Sequence, residues 1–357
     1  MQLSGRLLVA GTVVALCATA APVLADGELS FATAYYKERA TRVMQPMLDG
    51  RFDVGDHGEA KAHMLVDAIT SASVGVGEEV FDETRVEGGV QYTHEIDIFK
   101  IGGLFRYSTE PDYRSVFGGL RFQAELFDRN LTLSAAATIG HDNLSNEGAP
   151  PMAPRLEGEL DTKLASFGAA QLLTPNAIAS VTYDLTQLDG EQANLYRYVI
   201  TAGMQIRENH PDKRTRHAVA GTVKWFLPGT ATTLIASYRR YFDSWKLKAH
   251  TPELRLIQEL GDSALFAVRY RYHRQGKAYF YEGRYAGPQE LISADVKLSV
   301  FDSHTISTTF EVTGDVIGFT GFLGETRGQI IFEYVDQNNG FGHALIGHAT
   351  LTVPLTY

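Results

Sequence analysis

Side chains capable of chemistry are plentiful in this sequence, but they do not gather into a motif. Eleven histidines are present. None stands in a His-Glu-x-x-His or His-x-His arrangement, and the spacings of a zinc site are missing. Serines and aspartates accompany them without a Gly-x-Ser-x-Gly elbow, and there is no Walker loop. Gly88-Gly89 and Gly102-Gly103 lie inside alternating stretches and read as sites of twist or close packing. The sequence therefore predicts no enzyme, no catalytic residue, no metal ligand and no cofactor.

What the charged residues do show is a period of two. Glu87, Arg106, Arg121, Glu125, Lys224, Arg239, Glu253, Arg255, Arg269, Arg271 and Glu333 sit in stretches where alternate positions are apolar or small. That period puts them on one face of extended strands, with an apolar face opposite. Such charges cannot face hydrocarbon near a bilayer midplane, where Arg or Lys costs about 2–4 kcal/mol. They are expected to point into a lumen. Basic residues outnumber acidic ones in the set, which predicts a mild preference for anionic solutes. The competing reading is a ladder of inward ion pairs that stiffens a wall.

The elements that would position these charges are clearest at the end of the chain. Reading backwards from the last residue, Tyr357, Leu355, Val353, Leu351, Ala349, Gly347 and Leu345 are all apolar or small, while the residues between them are mostly polar or small. An apolar face ending in an aromatic is the pattern of a closing strand in an outer-membrane β-barrel, and an ordinary sandwich strand is the alternative. Leu351, Val353, Leu355 and Tyr357 are the expected signal in that strand for the barrel-assembly machinery.

Similar alternation recurs along the chain. Short turns are expected at 55–58, 127–130, 174–176, 227–230 and 261–263, and long loops at 71–83, 142–162, 186–213 and 276–291. A long strand is expected over 293–312, and Asn338-Asn339-Gly340 is a hairpin signal before the last strand. Within 186–213, Tyr198 to Arg207 has the pattern of a short strand outside the membrane. Of the aromatics in 276–291, Tyr279, Phe280, Tyr281 and Tyr285 are candidates for ligand contact, with anchoring at the membrane interface the favoured alternative. The fold expected is all-β: a transmembrane antiparallel up-and-down barrel of about 16 strands, within a range of 14 to 18. An even count puts both ends in the periplasm.

Residues 1–25 read as a secretory signal. Arg6 precedes an apolar stretch from Leu7 to Leu16, and Val23-Leu24-Ala25 fits cleavage after Ala25. Residues 26–357 are then one barrel domain. Cys17 lies inside the leader, and Leu16 before it argues against lipidation. The whole chain carries a formal charge of −10, and loss of the leader's single arginine makes it more negative. Acidity of this kind argues against nucleic acid as a partner. The mean hydropathy is −0.12, and no apolar run beyond the leader is long enough for a membrane-spanning helix.

Several segments resemble an uncharacterised bacterial outer-membrane family, the domain-of-unknown-function family 3570. They are Leu65 to Val74, Arg214-Thr215-Arg216-His217-Ala218-Val219 with Phe226-Leu227-Pro228 after it, Tyr238 to Trp245, Ala249-His250-Thr251-Pro252-Glu253, and Arg269-Tyr270-Arg271-Tyr272 with Phe280-Tyr281 beyond. The resemblance implies a β-barrel in the outer membrane of a diderm bacterium and implies no activity. Outer-membrane lipid is the expected partner, and no particular solute is indicated. The function expected is a passage for small polar or ionic solutes, or the membrane part of a transport system. The rivals are a rim enzyme acting on lipid or peptide, and a closed structural or docking barrel.

Overall fold

The computed structural model describes residues 26–39, 41–72, 80–146 and 155–355. The expected leader and Tyr357 lie outside them, as does part of the loop expected at 71–83. The strands are β1 (Gly27–Lys37), β2 (Thr41–Val54), β3 (Gly58–Ala72), β4 (Val80–Ile96), β5 (Phe99–Thr109), β6 (Tyr113–Leu126), β7 (Leu131–Ser145), β8 (Glu157–Thr174) and β9 (Ala177–Gly190). Then follow β10 (Tyr198–Thr201), β11 (Met204–Arg207), β12 (Lys213–Leu227), β13 (Thr232–Asp243), β14 (Lys248–Glu259), β15 (Ala264–Gln275), β16 (Phe301–Thr313), β17 (Arg327–Gln337) and β18 (Ala344–Leu355).

All but β10 and β11 form one closed antiparallel barrel, in which each strand pairs with its neighbours in sequence and β9 pairs directly with β12. That is a transmembrane up-and-down barrel of 16 strands. Closure is made by β1 against β18, in register from Gly27 opposite Leu355 to Lys37 opposite Leu345. No barrel strand is left with an unpaired edge, the condition for an extended backbone to sit in lipid. β10 and β11 form a separate two-stranded hairpin between β9 and β12.

The connections divide by side. Both described chain ends and the turns at 55–57, 97–98, 127–130, 175–176, 228–231 and 260–263 lie at one rim. The connections at 191–212 and 276–300 lie at the other. One connection on the short-turn side, 314–326, is longer and contains two short helical turns. Short turns opposite long loops is the asymmetry of an outer-membrane barrel.

The outer face is apolar and open. Leu120, Ile139 and Phe332 expose 71%, 66% and 64% of their surface. On β18 the outward residues include Leu351, Val353 and Leu355, which face Phe31, Leu29 and Gly27 of β1. Exposed apolar side chains of this extent are stable only in an apolar solvent, which is what a bilayer supplies.

Three expected boundaries are corrected. The loop expected at 142–162 is shorter, because β7 continues to Ser145 and β8 begins at Glu157, with Ser145 paired to Glu157. Beyond the hydrocarbon, polar residues can occupy both faces of a strand, so the ladder goes on where the alternation stops. The strand expected from residue 293 begins at Phe301. The amides of Ser293, Ala294 and Lys297 are held by the Tyr285 hydroxyl, the Glu208 carboxylate and the Asp295 carboxylate, so they are lost to any ladder. Asn339-Gly340 does not form a tight two-residue turn. The connection runs from 338 to 343, and the left-handed position is Gly342 at φ 71°.

The outward face gives a direct expectation. Phe332→Arg places a cation against hydrocarbon near the middle of β17 and should destabilise the barrel by about 2–4 kcal/mol in urea unfolding from lipid vesicles. Gln329→Arg, on the same strand but the inward face, should cost much less.

Candidate functional site

Directly opposed residues share a face in an antiparallel ladder, so the register assigns each charge to a side. Glu28, Arg51, Lys61 and Gln91 share one row, and Asp49, His63, Gly89 and Arg106 the next. These residues line a hollow of about 280 Å³, so the polar face is the concave one. Glu87, Arg106, Arg121, Glu125, Lys224, Arg239, Glu253, Arg255, Arg269, Arg271 and Glu333 all fall on that inner face.

Some of them are drawn together. Arg106 lies 3.4 Å from Glu87. Glu125 lies 3.3 Å from Lys100 and 3.1 Å from Arg129. Arg271 is bound to Glu253 at 2.7 Å, and Arg269 reaches Glu333 at 2.6 Å and Glu253 at 3.8 Å. Others stand apart: among the described residues Arg121, Lys224, Arg239 and Arg255 make no ion pair. Arg216, also inward, has a buried Nε without a hydrogen-bond partner.

The two halves of the wall therefore differ. On β1–β6 acids and bases are interleaved and largely paired, as in Arg51–Glu59 at 2.7 Å and Arg85–Asp67 at 2.6 Å. On β12–β15 the inward cations are Arg214, Arg216, Lys224, Arg239, Arg255, Arg269 and Arg271, against Asp243, Glu253 and Glu259. Lys224, Ile235, Arg255 and Arg269 form one row across four strands. Arg239 and Arg216 lie successively further toward the long-loop rim.

At that rim the loops 191–212 and 276–300 pack into one body. Glu208, with a fully buried side chain, accepts from the Ser293 hydroxyl at 2.9 Å and the Ala294 amide at 2.6 Å. Arg197 joins it at 3.4 Å and Asp295 at 3.4 Å. The Tyr285 hydroxyl receives the amides of Glu282 and Ser293. Val199, Tyr285 and Ile292 form one apolar centre, and Trp245, Leu247, Ala278, Phe280 and Leu298 a second. Gly190, at φ 128°, lets the chain leave β9 toward this body; a Cβ there would lie 2.1 Å from the Glu159 carbonyl.

The body leans over the inner face. Inward Gln275 donates to the carbonyls of Lys297 and Ser299 at 2.7 and 2.9 Å. Inward Arg214, bound to Asp243, lies 4.0 Å over the Trp245 ring. Phe280 and Tyr285 are buried in the body, so neither acts as a membrane anchor, while Tyr279 stays exposed. The short strand expected from Tyr198 to Arg207 is present as the β10–β11 hairpin, split by a turn, whereas the side-chain bonds that join the two loops were not visible in the sequence.

One cluster here has the composition of a hydrolytic site. His210 Nε2 lies 2.9 Å from Ser293 Oγ, which Glu208 also contacts. Its geometry is wrong for nucleophilic catalysis. The carboxylate touches the serine, while the imidazole Nδ1 faces the Gln192 carbonyl at 3.1 Å. Ser293 is 1% exposed, leaving no approach for a substrate. Burial lowers the basicity of His210 against the opposing pull of Glu208. The cluster joins two loops. Among the described residues no three of His, Cys, Asp and Glu converge in the manner of a metal site.

A family model described as "Protein of unknown function (DUF3570)" matches residues 76–338. The chain belongs to that family. The resembling segments from Arg214 onward fall inside the matched span, and Leu65–Val74 falls before it. No curated protein matches the chain in sequence. Among solved structures it is similar to a bacterial polysaccharide outer membrane secretin, with a TM-score of 0.55 at 9% identity, over 92% of this chain and 98% of that one. It is also similar to a BenF-like porin from Pseudomonas fluorescens Pf-5, with a TM-score of 0.50 at 8% identity, over 93% and 98%. OccD3 (OpdP) of Pseudomonas aeruginosa gives a TM-score of 0.50 at 8% identity, over 93% and 92%. At such identities the likeness is one of fold.

The loop body can be tested apart from the barrel. Glu208→Ala removes the acceptor of the Ser293 and Ala294 bonds and should cost the loop packing about 3 kcal/mol. The expected result is rapid amide exchange and proteolysis confined to 191–212 and 276–300, with the barrel strands still protected.

Proposed function

We infer that this protein is an outer-membrane passage for small polar solutes, with anions favoured. The observation that carries the reading is the cationic wall of β12–β15, where Lys224, Arg239 and Arg255 lack ion partners among the described residues. Stiffening a wall needs paired charges, and β1–β6 already has them. Unpaired cations in a polar interior raise the local concentration of anions and reduce that of cations. A barrel of this strand number has an interior wide enough for water. The loop body over β9–β16 narrows the entrance on the same side as the cations, so entering solutes are directed past Arg214, Arg216 and Arg239. The porin-like neighbours support the reading at the level of fold.

Purified protein in planar bilayers should conduct and should favour chloride over potassium. Arg239→Gln combined with Arg255→Gln should bring the permeability ratio toward one. Cation selectivity, or no conductance, overturns the reading.

Placement of the long loops outside the cell is testable with cysteine, since the only natural one is Cys17. Gly283 and Gly229 are exposed, at opposite rims, with open space at the Cβ position. Gly283→Cys should react with a membrane-impermeant maleimide on intact cells, and Gly229→Cys only after the outer membrane is permeabilised. The reverse pattern inverts the orientation.

A further inference from the structure

We propose that the outer surface of β13–β15 at the long-loop rim is a binding site for a phosphate-bearing lipid headgroup of the outer leaflet. The proposal rests on the outward placement of the long loops argued above and is independent of what the lumen passes.

Arg240, His250, Arg274 and Asp302 lie directly opposite one another across four adjacent strands, all on the outward face. Lys248 stands two residues nearer the rim, opposite Phe242. Three cations therefore share a small area with one acid, in a chain whose net charge is −10. That acid, Asp302, lies 3.7 Å from Arg274, whose side chain remains 67% exposed. Elsewhere on this rim, outward Lys213 faces Asp189 at 3.3 Å.

His250 acts as a positioning residue. Its Nδ1 is held by the Tyr238 hydroxyl and its Nε2 is met by the Arg240 guanidinium. The imidazole thus bridges Tyr238 and Arg240 and fixes the guanidinium in place. Two strand spacings, about 10 Å, separate the backbones bearing Arg240 and Arg274. Flexible side chains at that separation can close on one phosphate from both sides, and arginine's fork matches its oxygens.

The height of the site is set by an aromatic belt. Tyr183–His217, Tyr270–His304 and Tyr334–His343 are outward pairs, each joined from the tyrosine hydroxyl to the histidine Nδ1, at 2.8, 2.7 and 3.0 Å. Tyr238–His250 is a fourth. In each pair the histidine lies nearer the rim. Tyrosine at the boundary of the hydrocarbon puts the histidine and arginine row at headgroup level. A cation there gains most from an anionic lipid.

The test uses the full mature chain in detergent, titrated with lipid A carrying two phosphates and followed by native mass spectrometry. Arg240→Gln with Arg274→Gln should weaken binding about thirtyfold, while lipid A stripped of phosphate should bind both proteins alike. Arg274→Gln alone, at an exposed side chain whose loss spares the fold, should weaken binding about fivefold. Heat-modifiable gel mobility confirms that each variant is folded, and unchanged bilayer conductance separates this site from the lumen. Folded variants that bind lipid A as tightly as the unmutated protein, an unmutated protein that binds the stripped lipid as tightly as the phosphorylated one, or full displacement by millimolar inorganic phosphate would each overturn the proposal.

Discussion

Everything in this molecule depends on the pairing of β1 with β18. An extended chain in hydrocarbon can satisfy its amides and carbonyls only through neighbouring strands, and the first and last strands have no further neighbour unless they meet. Their register, from Gly27–Leu355 to Lys37–Leu345, closes the ladder. Once it is closed, a single period separates two solvents. Each strand gives alternate residues to lipid and to the interior, and shifting the register by one would exchange those faces around the wall.

That constraint explains which charges pair. Within the lumen a charge is exposed to water, and it needs a partner only where neighbours crowd it. On β3 and β4 Asp67 is almost fully buried, and Arg85 lies against it at 2.6 Å. On β13 and β14 Arg239 and Arg255 face open interior and carry no acid. At the rim the demand reverses. Loop backbone folded over a lumen has lost its ladder, so its polar groups must be met by side chains, and Glu208, Tyr285 and Ser293 supply them.

The barrel was legible because lipid and lumen impose opposite demands on adjacent residues. Alternation at Leu345 to Leu355, or at Phe266 to His273, reports that directly. Short turns such as 55–57 were legible from Gly and Asp. The strand ends of β7 and β8 were not, because beyond the hydrocarbon neither face is selected for hydropathy. The segment from Ser293 to Ser299 read as strand because Ile292, Ala294, Val296 and Leu298 alternate; Leu298 is apolar because it packs under Trp245 and Phe280. A loop core can imitate a strand when its buried residues happen to fall two apart. The Glu208–Ser293 junction joins positions 85 residues apart, and no local pattern can announce such a contact. The aromatics gave a mixed signal, since burial in a loop body and residence at a lipid boundary select the same side chains.

The sign of the whole chain is a poor guide to what it meets. With 42 acidic residues against 32 basic ones, the protein would be expected to repel anions. Charges act over about a Debye length, roughly 8 Å at physiological salt, so a solute or headgroup responds to the residues beside it. On β1–β6 the inward acids are largely matched by bases. On β12–β15 the inward Arg216, Lys224, Arg239 and Arg255 make no ion pair among the described residues, while Arg214, Arg269 and Arg271 do, and Arg240, Lys248 and Arg274 exceed their acid on the outside. One stretch of wall is thus basic on both of its faces. The proposed anion preference inside and the proposed headgroup affinity outside would be separate consequences of the same strands, each depending on local imbalance despite the acidic total.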